Sequence, residues 1–82
     1  MMTLTVYLFA RARELAGASA VSLDLPTGAT VADLRRMLVD RYPPLAALLE
    51  RSAVAVNHDF ADDSHALRPG DEIAVIPPVS GG

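Results

Sequence analysis

The sequence contains no cysteine. This absence excludes disulfide bonds, iron–sulfur clusters, thiolate zinc sites and cysteine nucleophiles. It leaves the redox compartment open, because a reducing cytosol is merely compatible with a chain that has no thiols. The fold must therefore obtain its stability from the packing of its own side chains.

Lysine is absent as well, and all seven basic residues are arginines. The absence excludes a phosphate-binding loop with its lysine and any Schiff-base mechanism. Two interpretations remain open: a coding bias towards alanine and arginine, or the exclusion of an amine that would attack an activated carboxyl group. The net charge of -3 argues against nucleic-acid binding, which needs a clustered positive surface.

Apolar runs long enough to cross a bilayer are also missing, and the first residues carry no basic leader. These features predict a soluble cytoplasmic protein without a membrane partner. The 82 residues are 51% hydrophobic and 21% charged, which is typical of one small packed domain. We expect this domain over residues 1–76 and an extended tail over residues 77–82.

Alternating apolar and polar residues predict two strands in the first third of the chain. The first strand covers residues 3–10 and the second covers residues 21–25. The polar segment of residues 11–19, which contains Gly17, predicts a turn that joins the strands in a hairpin. The first strand has two distinct faces, one with Leu4, Val6 and Leu8 and the other with Thr5, Tyr7 and Phe9.

Helical spacing of apolar residues begins at Val31. Thr30 is a suitable N-cap, and Asp33 lies in the first turn near the positive end of the helix dipole. The helix should end before Pro43-Pro44, with Arg35, Arg36 and Asp40 facing solvent. The remaining pattern predicts a short helix over 45–51, strands over 53–57 and 72–76, a polar loop over 57–66 and a turn over 67–71. The order predicts an α+β fold in which one main helix, beside a short second one, packs on one face of a mixed sheet.

The uncovered face of such a sheet is a candidate interface, because apolar residues there have no helix to pack against. Tyr7 and Phe9 are predicted to lie on it, and Ile73 and Val75 are further candidates. For Arg11, Arg13 and Glu14 we consider solvation of the turn or contact with a partner.

The predicted polar loop contains two histidines and three aspartates. Their spacing matches no metal motif with a known mechanism, so we expect a solvated acidic loop and no metal site. Ser80 lacks the Gly-x-Ser-x-Gly context and a positioned base, so we do not expect it to be a nucleophile. The loop residues are His58, Asp59, Asp62, Asp63 and His65.

The last six residues are Pro77-Pro78-Val79-Ser80-Gly81-Gly82. Two prolines favour an extended conformation, and a fully extended segment of this length reaches about 20 Å. Two glycines leave the approach to a terminal carboxylate free of side chains. A frayed terminus or a cloning remnant is the alternative interpretation of Gly-Gly alone.

Several segments together resemble one family of sulfur carriers, which includes the small subunit of molybdopterin synthase. The resemblance covers nearly the whole chain and is most specific in the tail, because the related thiamine sulfur carriers share Gly-Gly but usually lack the double proline. The segments that carry it are Phe9-Ala10, Arg13-Glu14, Gly17, Ala55-Val56-Asn57, Gly70-Asp71-Glu72-Ile73-Ala74 and Pro77-Pro78-Val79-Ser80-Gly81-Gly82.

The resemblance implies a β-grasp (ubiquitin-like) fold and a carrier role for Gly82. An adenylating enzyme would consume ATP to activate the Gly82 carboxylate, and a persulfide donor would convert it to a thiocarboxylate (1-thioglycine). This adenylating enzyme would be similar to the ubiquitin-activating type. The tail, from Pro77 to Gly81, would thread into the large subunit of the synthase, in a complex with two copies of each subunit. There the sulfur would pass to a cyclic pyranopterin precursor in molybdenum cofactor biosynthesis. Catalysis would belong to the partners, and no permanently bound cofactor is implied.

Two alternatives remain open. The first is a sulfur carrier for another pathway, such as thiamine thiazole formation or a different thiolation. The second is a ubiquitin-like binding module whose tail is never activated. Fold alone does not separate them, because one fold serves many functions.

Overall fold

The computed structural model describes residues 1–78. Within them the chain forms five strands and three α-helices, and a 3-10 turn at Pro43–Leu45 separates the second helix from the third. In chain order the elements are β1 (Met2–Leu8), α1 (Ala10–Ala16), β2 (Ala20–Leu25), α2 (Val31–Arg41), α3 (Ala46–Arg51), β3 (Ala53–Val56), β4 (Asp59–Ala61) and β5 (Glu72–Ile76).

The five strands form one mixed sheet in the order β2-β1-β5-β3-β4. β1 is antiparallel to β2 and parallel to β5, and β3 is antiparallel to both β4 and β5. The parallel pair at the centre requires a long crossover, because a tight turn can join only antiparallel strands. The segment between β2 and β5, which includes α2 and α3, supplies this crossover.

The helices cover one face of the sheet, and the core lies between the two layers. The buried positions of β1 alternate, which places every second residue against the helices. Each large side chain buried in this way contributes about 1.5–3 kcal/mol relative to an exposed one. The α+β class and the main helix on a mixed sheet are as predicted. The side chains buried most completely include Leu4, Val6, Leu8, Leu34, Leu38, Leu45, Ile73 and Val75.

The segment predicted as a turn after the first strand is instead helix α1, so that prediction is wrong. β1 ends at Leu8 rather than Ala10, and Ala10 begins the helix with φ 51°. The helix is stabilised by tertiary packing, because Ala12 is completely buried in the core. It ends at Gly17, whose left-handed conformation (φ 74°) suits a residue without Cβ.

The predicted start of the main helix is confirmed at atomic detail. The Asp33 amide donates to Thr30 Oγ1 (3.4 Å), and the Thr30 amide donates to Asp33 Oδ2 (2.9 Å), which forms a capping box. The hydrogen bond from the Thr30 amide, followed by that from Arg36, lowers the pKa of the Asp33 carboxyl below its ordinary value of 3.8. The helix ends before Pro43-Pro44, also as predicted.

Arg35 was predicted to face solvent, and this prediction is wrong, because its side chain is only 22% exposed. Its Nη1 and Nη2 donate to the carbonyl oxygens of Leu49 (2.5 Å) and Ser52 (3.0 Å), at the end of α3. Its Nε donates to Asp63 Oδ1 at 2.8 Å. A guanidinium can make these three contacts at once because its donors form a rigid planar fork.

Candidate functional site

The uncovered face of the sheet carries a row of four residues from four adjacent strands. The register pairs Tyr7 with Ala74, Ala74 with Ala55, and Ala55 with Phe60. Two small residues therefore lie between two aromatic ones, and the face is concave between the rings. Phe60 is 76% exposed and Tyr7 is 39% exposed.

This row forms the floor of an apolar groove of about 300 Å³, which also contacts Phe9, Ile76, His58 and Glu72. Phe9 is 51% exposed and Ile76 is 37% exposed. Large apolar side chains with this exposure, gathered in one place, are typical of a surface that another molecule covers. We call this surface the open-face groove.

Phe9 reaches the groove by a different route from the predicted one. It lies outside β1 and forms the N-cap residue of α1, with an extended backbone. The start of α1 therefore turns Phe9 towards the end of β5 rather than along the strand. The predicted proximity of Tyr7 and Phe9 holds, although the two do not share a strand.

Ile73 and Val75 were candidates for the same face, and this prediction is wrong. Both side chains are completely buried in the core. The register explains why, because Ile73 pairs with Val6 and Val75 pairs with Leu8, and paired residues share a face. The alternate residues of β5 lie on the open face instead: Glu72, Ala74 and Ile76.

Phe60 was missed because residues 57–66 were predicted to be an irregular polar loop. The structure places β4 within that segment, joined to β3 by Asn57 and His58. Both turn residues have positive φ, 51° and 74°, which is the geometry of a type I′ hairpin. Asn57 at the first central position was the available signal, but His58 occupies the second position, where glycine is preferred.

The hairpin is fastened to β5 by the Asn57 side chain. Its Oδ1 accepts from the Glu72 amide at 2.9 Å, and its Nδ2 donates to Asp71 Oδ1 at 2.9 Å. Asp71 also accepts from the Arg68 amide at 2.8 Å. These bonds fix the position of His58 and Phe60 relative to the central strand.

The two histidines do not form a common site. His58 lines the open-face groove, whereas His65 lines a second groove of mixed polar and apolar character with Asp59 and Arg68. Within residues 1–78 no cluster of three or more histidine, aspartate or glutamate residues is arranged to hold a metal ion.

Arg13 and Glu14 lie exposed on α1 and do not line the groove. Glu14 forms an ion pair with Arg11 at 3.5 Å, and both side chains are 63% exposed. A solvated pair of this kind contributes little to stability. A role of Arg13 and Glu14 in partner contact stays a prediction.

The tail begins beside the groove. Ile76 pairs with Ala53 on β3 and is also part of the groove wall, and Pro77 and Pro78 follow it directly. The other residues predicted to thread or react, Val79, Ser80, Gly81 and Gly82, lie outside the described residues. The division of the chain into a domain and a tail stays a prediction.

Comparisons with known proteins cover almost the whole chain. The ThiS family matches residues 6–82. A molybdopterin synthase sulfur carrier subunit from Chlamydomonas reinhardtii is 36% identical over 99% of this chain and 100% of its own length. Within residues 1–78 no helix has the length and apolar character needed to span a membrane.

Solved structures share the architecture. The crystal structure of SAMP1 from Haloferax volcanii superposes with a TM-score of 0.88 at 34% identity, covering 98% of this chain and 99% of that one. A complex of subunits 1 and 2 of molybdopterin-converting factor from Helicobacter pylori matches with a TM-score of 0.71 at 24% identity, covering 99% of this chain and 100% of that one. The second likeness concerns the fold alone.

Proposed function

This chain belongs to the ThiS family, and we propose that it is the sulfur-carrier subunit of a molybdopterin synthase. Its fold is the predicted β-grasp (ubiquitin-like) arrangement. The observation that carries the proposal is the similarity to a named carrier subunit over 99% of this chain and the whole length of that protein. The double proline before Gly-Gly supports this pathway over thiamine thiazole formation.

The proposed reactive group is the carboxylate of Gly82. A carboxylate is a poor electrophile, so an adenylating enzyme first joins it to AMP, and pyrophosphate leaves ATP. A persulfide sulfur then attacks the acyl carbon, the bond to AMP breaks, and reduction of the mixed acyl disulfide by a thiol leaves the thiocarboxylate. That sulfur passes to the cyclic pyranopterin precursor, water supplies the oxygen that replaces it at the acyl carbon, and the carrier returns to the carboxylate form. The chemistry needs no catalytic side chain and no resident cofactor on the carrier itself.

The proposed partners are the large subunit, the adenylating enzyme and the persulfide donor. We place them in the cytoplasm because activation consumes ATP, with two carriers and two large subunits in the synthase. The groove supports this proposal, because Ile76 belongs to its wall and immediately precedes the tail. A protein that accepts the tail in its active site is therefore positioned to cover Tyr7, Phe9 and Phe60 as well.

A single-turnover transfer tests the function. The carrier is prepared with a C-terminal thiocarboxylate and mixed with the large subunit and the pyranopterin precursor. Intact-mass spectrometry should show replacement of sulfur by oxygen only when both are present, together with the dithiolene product. A thiocarboxylate that survives beside an active large subunit would assign the sulfur to another pathway.

Deletion of Gly81-Gly82 provides the matched control. We expect the shortened chain to unfold at the same denaturant concentration, because both residues follow the packed domain. It should neither be adenylated nor transfer sulfur. A binding module with an unactivated tail would instead keep its full function after this deletion.

A further inference from the structure

We propose that the absence of lysine prevents the carrier from acylating itself or other copies of itself when its tail is activated. The inference rests on the proposed function, because it needs an acyl-adenylate at Gly82. It goes beyond that function by assigning a chemical role to the surface of the folded domain. The carrier would be a donor of acyl groups that contains no side-chain amine to accept them.

The side reaction that the absence of lysine would prevent is aminolysis of the acyl-adenylate. An unprotonated amine attacks the acyl carbon of the adenylate, a C–N bond forms, the bond between the acyl carbon and the AMP oxygen breaks, and the amine proton passes to solvent. The product is a stable amide that can no longer accept sulfur. A lysine amine loses its proton far more readily than an arginine guanidinium, because the pKa of the guanidinium lies well above that of the amine. Arginine therefore supplies positive charge without a competing nucleophile.

Among the arginines of residues 1–78, Arg35 alone makes contacts that require the geometry of a guanidinium group. Arg35 makes three hydrogen bonds with its planar fork, and an ammonium group could not reproduce them. Arg11 and Arg36 each make one exposed contact to a carboxylate, which a lysine could also make. Within residues 1–78 the other arginine side chains make no hydrogen bond and are exposed: Arg13, Arg41, Arg51 and Arg68.

Two exposed arginines, Arg11 and Arg51, lie near the point where the tail begins. Arg11 follows β1, whose last residue Leu8 pairs with Val75 near the end of β5. Arg51 precedes β3, whose first residue Ala53 pairs with Ile76. An amine at either position would lie within reach of a tail that extends about 20 Å.

Arg68 provides a contrast, because it lies in the turn before β5, at the opposite end of that strand. The length of the five-residue strand adds roughly 17 Å between this position and the start of the tail. A lysine near the start of the tail is tethered to the acyl group at an effective concentration in the millimolar range. A lysine at Arg11 or Arg51 should therefore form more adduct than one at Arg68.

The test replaces these arginines conservatively. Arg11→Lys, Arg51→Lys and Arg68→Lys are each incubated with the adenylating enzyme, ATP and magnesium, without a sulfur donor. Arg11→Gln replaces the same arginine without adding an amine and is the matched control for the loss of the guanidinium. Intact-mass spectrometry and gel electrophoresis then quantify amide adducts, which are lighter than the parent chain, or than two chains, by one water.

We expect Arg11→Lys and Arg51→Lys to form roughly tenfold more adduct than the natural chain or Arg11→Gln. The amount of adduct from Arg68→Lys should lie between these two levels. Pyrophosphate release measures activation separately. Normal release with no adduct above the natural level in any lysine variant would overturn the inference and leave coding bias as the explanation. No pyrophosphate release from the natural chain would overturn the proposed function, and this inference with it. Denaturant unfolding of each variant verifies that the comparison is between folded chains.

Discussion

At the scale of single residues, the backbone of the β3–β4 turn is the most informative feature. Asn57 and His58 both occupy the left-handed region, which is uncommon for any residue with a Cβ, although asparagine and histidine adopt it more often than most. A strained residue persists only where the surrounding structure holds it, and such residues cluster at functional surfaces. His58 lines the open-face groove, which is consistent with retention of the imidazole for contact with a partner.

We therefore predict that His58→Gly stabilises the isolated chain. Glycine adopts the φ of 74° without the steric cost that any Cβ imposes, a difference of about 1 kcal/mol. Denaturant unfolding followed by circular dichroism measures the change. Asn57→Gly should have the opposite sign, because it removes both side-chain hydrogen bonds to β5 and the preceding turn. An equal response of the two variants would contradict this account of the turn.

Asp33 gives a prediction on pH. Its pKa is lowered in the folded chain, so the folded state binds a proton at this site less readily than the unfolded state does. The contribution to stability is therefore complete above the ordinary value of 3.8 and is lost as the pH falls through the lower, folded value. Unfolding measured between pH 2 and 5 (roughly the range in which carboxyls titrate) should show a shallower acid decline for Asp33→Asn than for the natural chain. If the stability of Asp33→Asn and that of the natural chain fell in parallel with pH, Asp33 would not contribute to the acid decline.

At the scale of elements, Arg35 joins the two helices of the crossover to the segment that follows β4. It lies on α2, but its contacts are at the end of α3 and at Asp63. The carbonyl oxygens at a helix C-terminus have no partner within the helix, and a cation there also interacts favourably with the helix dipole. One side chain therefore completes the end of α3 and holds it against α2.

We predict that Arg35→Lys destabilises the chain by about 2 kcal/mol, because an ammonium group cannot keep the bonds to Leu49, Ser52 and Asp63 together. Arg36→Lys is the adjacent control, since that side chain is 74% exposed and its change should stay within about 0.5 kcal/mol. Thermal or denaturant unfolding compares the two. Equal losses would show that the guanidinium fork of Arg35 contributes nothing specific.

Two elements show where sequence periodicity fails. Helix α1 is only seven residues long, and it depends on the burial of Ala12 rather than on a capping side chain. Strand β4 has three residues and follows a turn with histidine where glycine is preferred. Short elements of this kind form because the rest of the fold stabilises them, so their local sequence carries little signal.

At the scale of the whole molecule, the two faces of the sheet differ in what they contact. One face of the sheet packs against the helices, and the other presents the open-face groove beside the origin of the tail. On the open face of the sheet the strands contribute Asp24 and Glu72 but no arginine, since every arginine lies in a helix or a connection. A partner that covers the sheet face therefore meets an apolar groove with acidic residues near it.

We predict that Phe60→Glu weakens binding to the proposed large subunit by about 2 kcal/mol, roughly 30-fold, because a large aromatic side chain buried by a partner is a typical binding hot spot. Folding should change little, since Phe60 is already 76% exposed. Ala47→Glu, at an exposed position on α3, introduces the same charge away from the groove and should leave binding intact. Calorimetric titration compares the variants; equal affinities would remove the groove from the interface.

The sequence alone determined the α+β class, the main helix with its Thr30–Asp33 cap, the core face of β1 and the candidate reactive glycine. These features depend on interactions between residues close in the chain, or on a chemical signature that needs no geometry. The tertiary structure decided the register of β5, and with it that Ile73 and Val75 are core residues while Ala74 and Ile76 line the groove. It also decided the position of Phe60, because a short edge strand forms only when its central neighbours are already in place. Strand register depends on partners distant in sequence, and a shift of one residue exchanges the two faces of a strand.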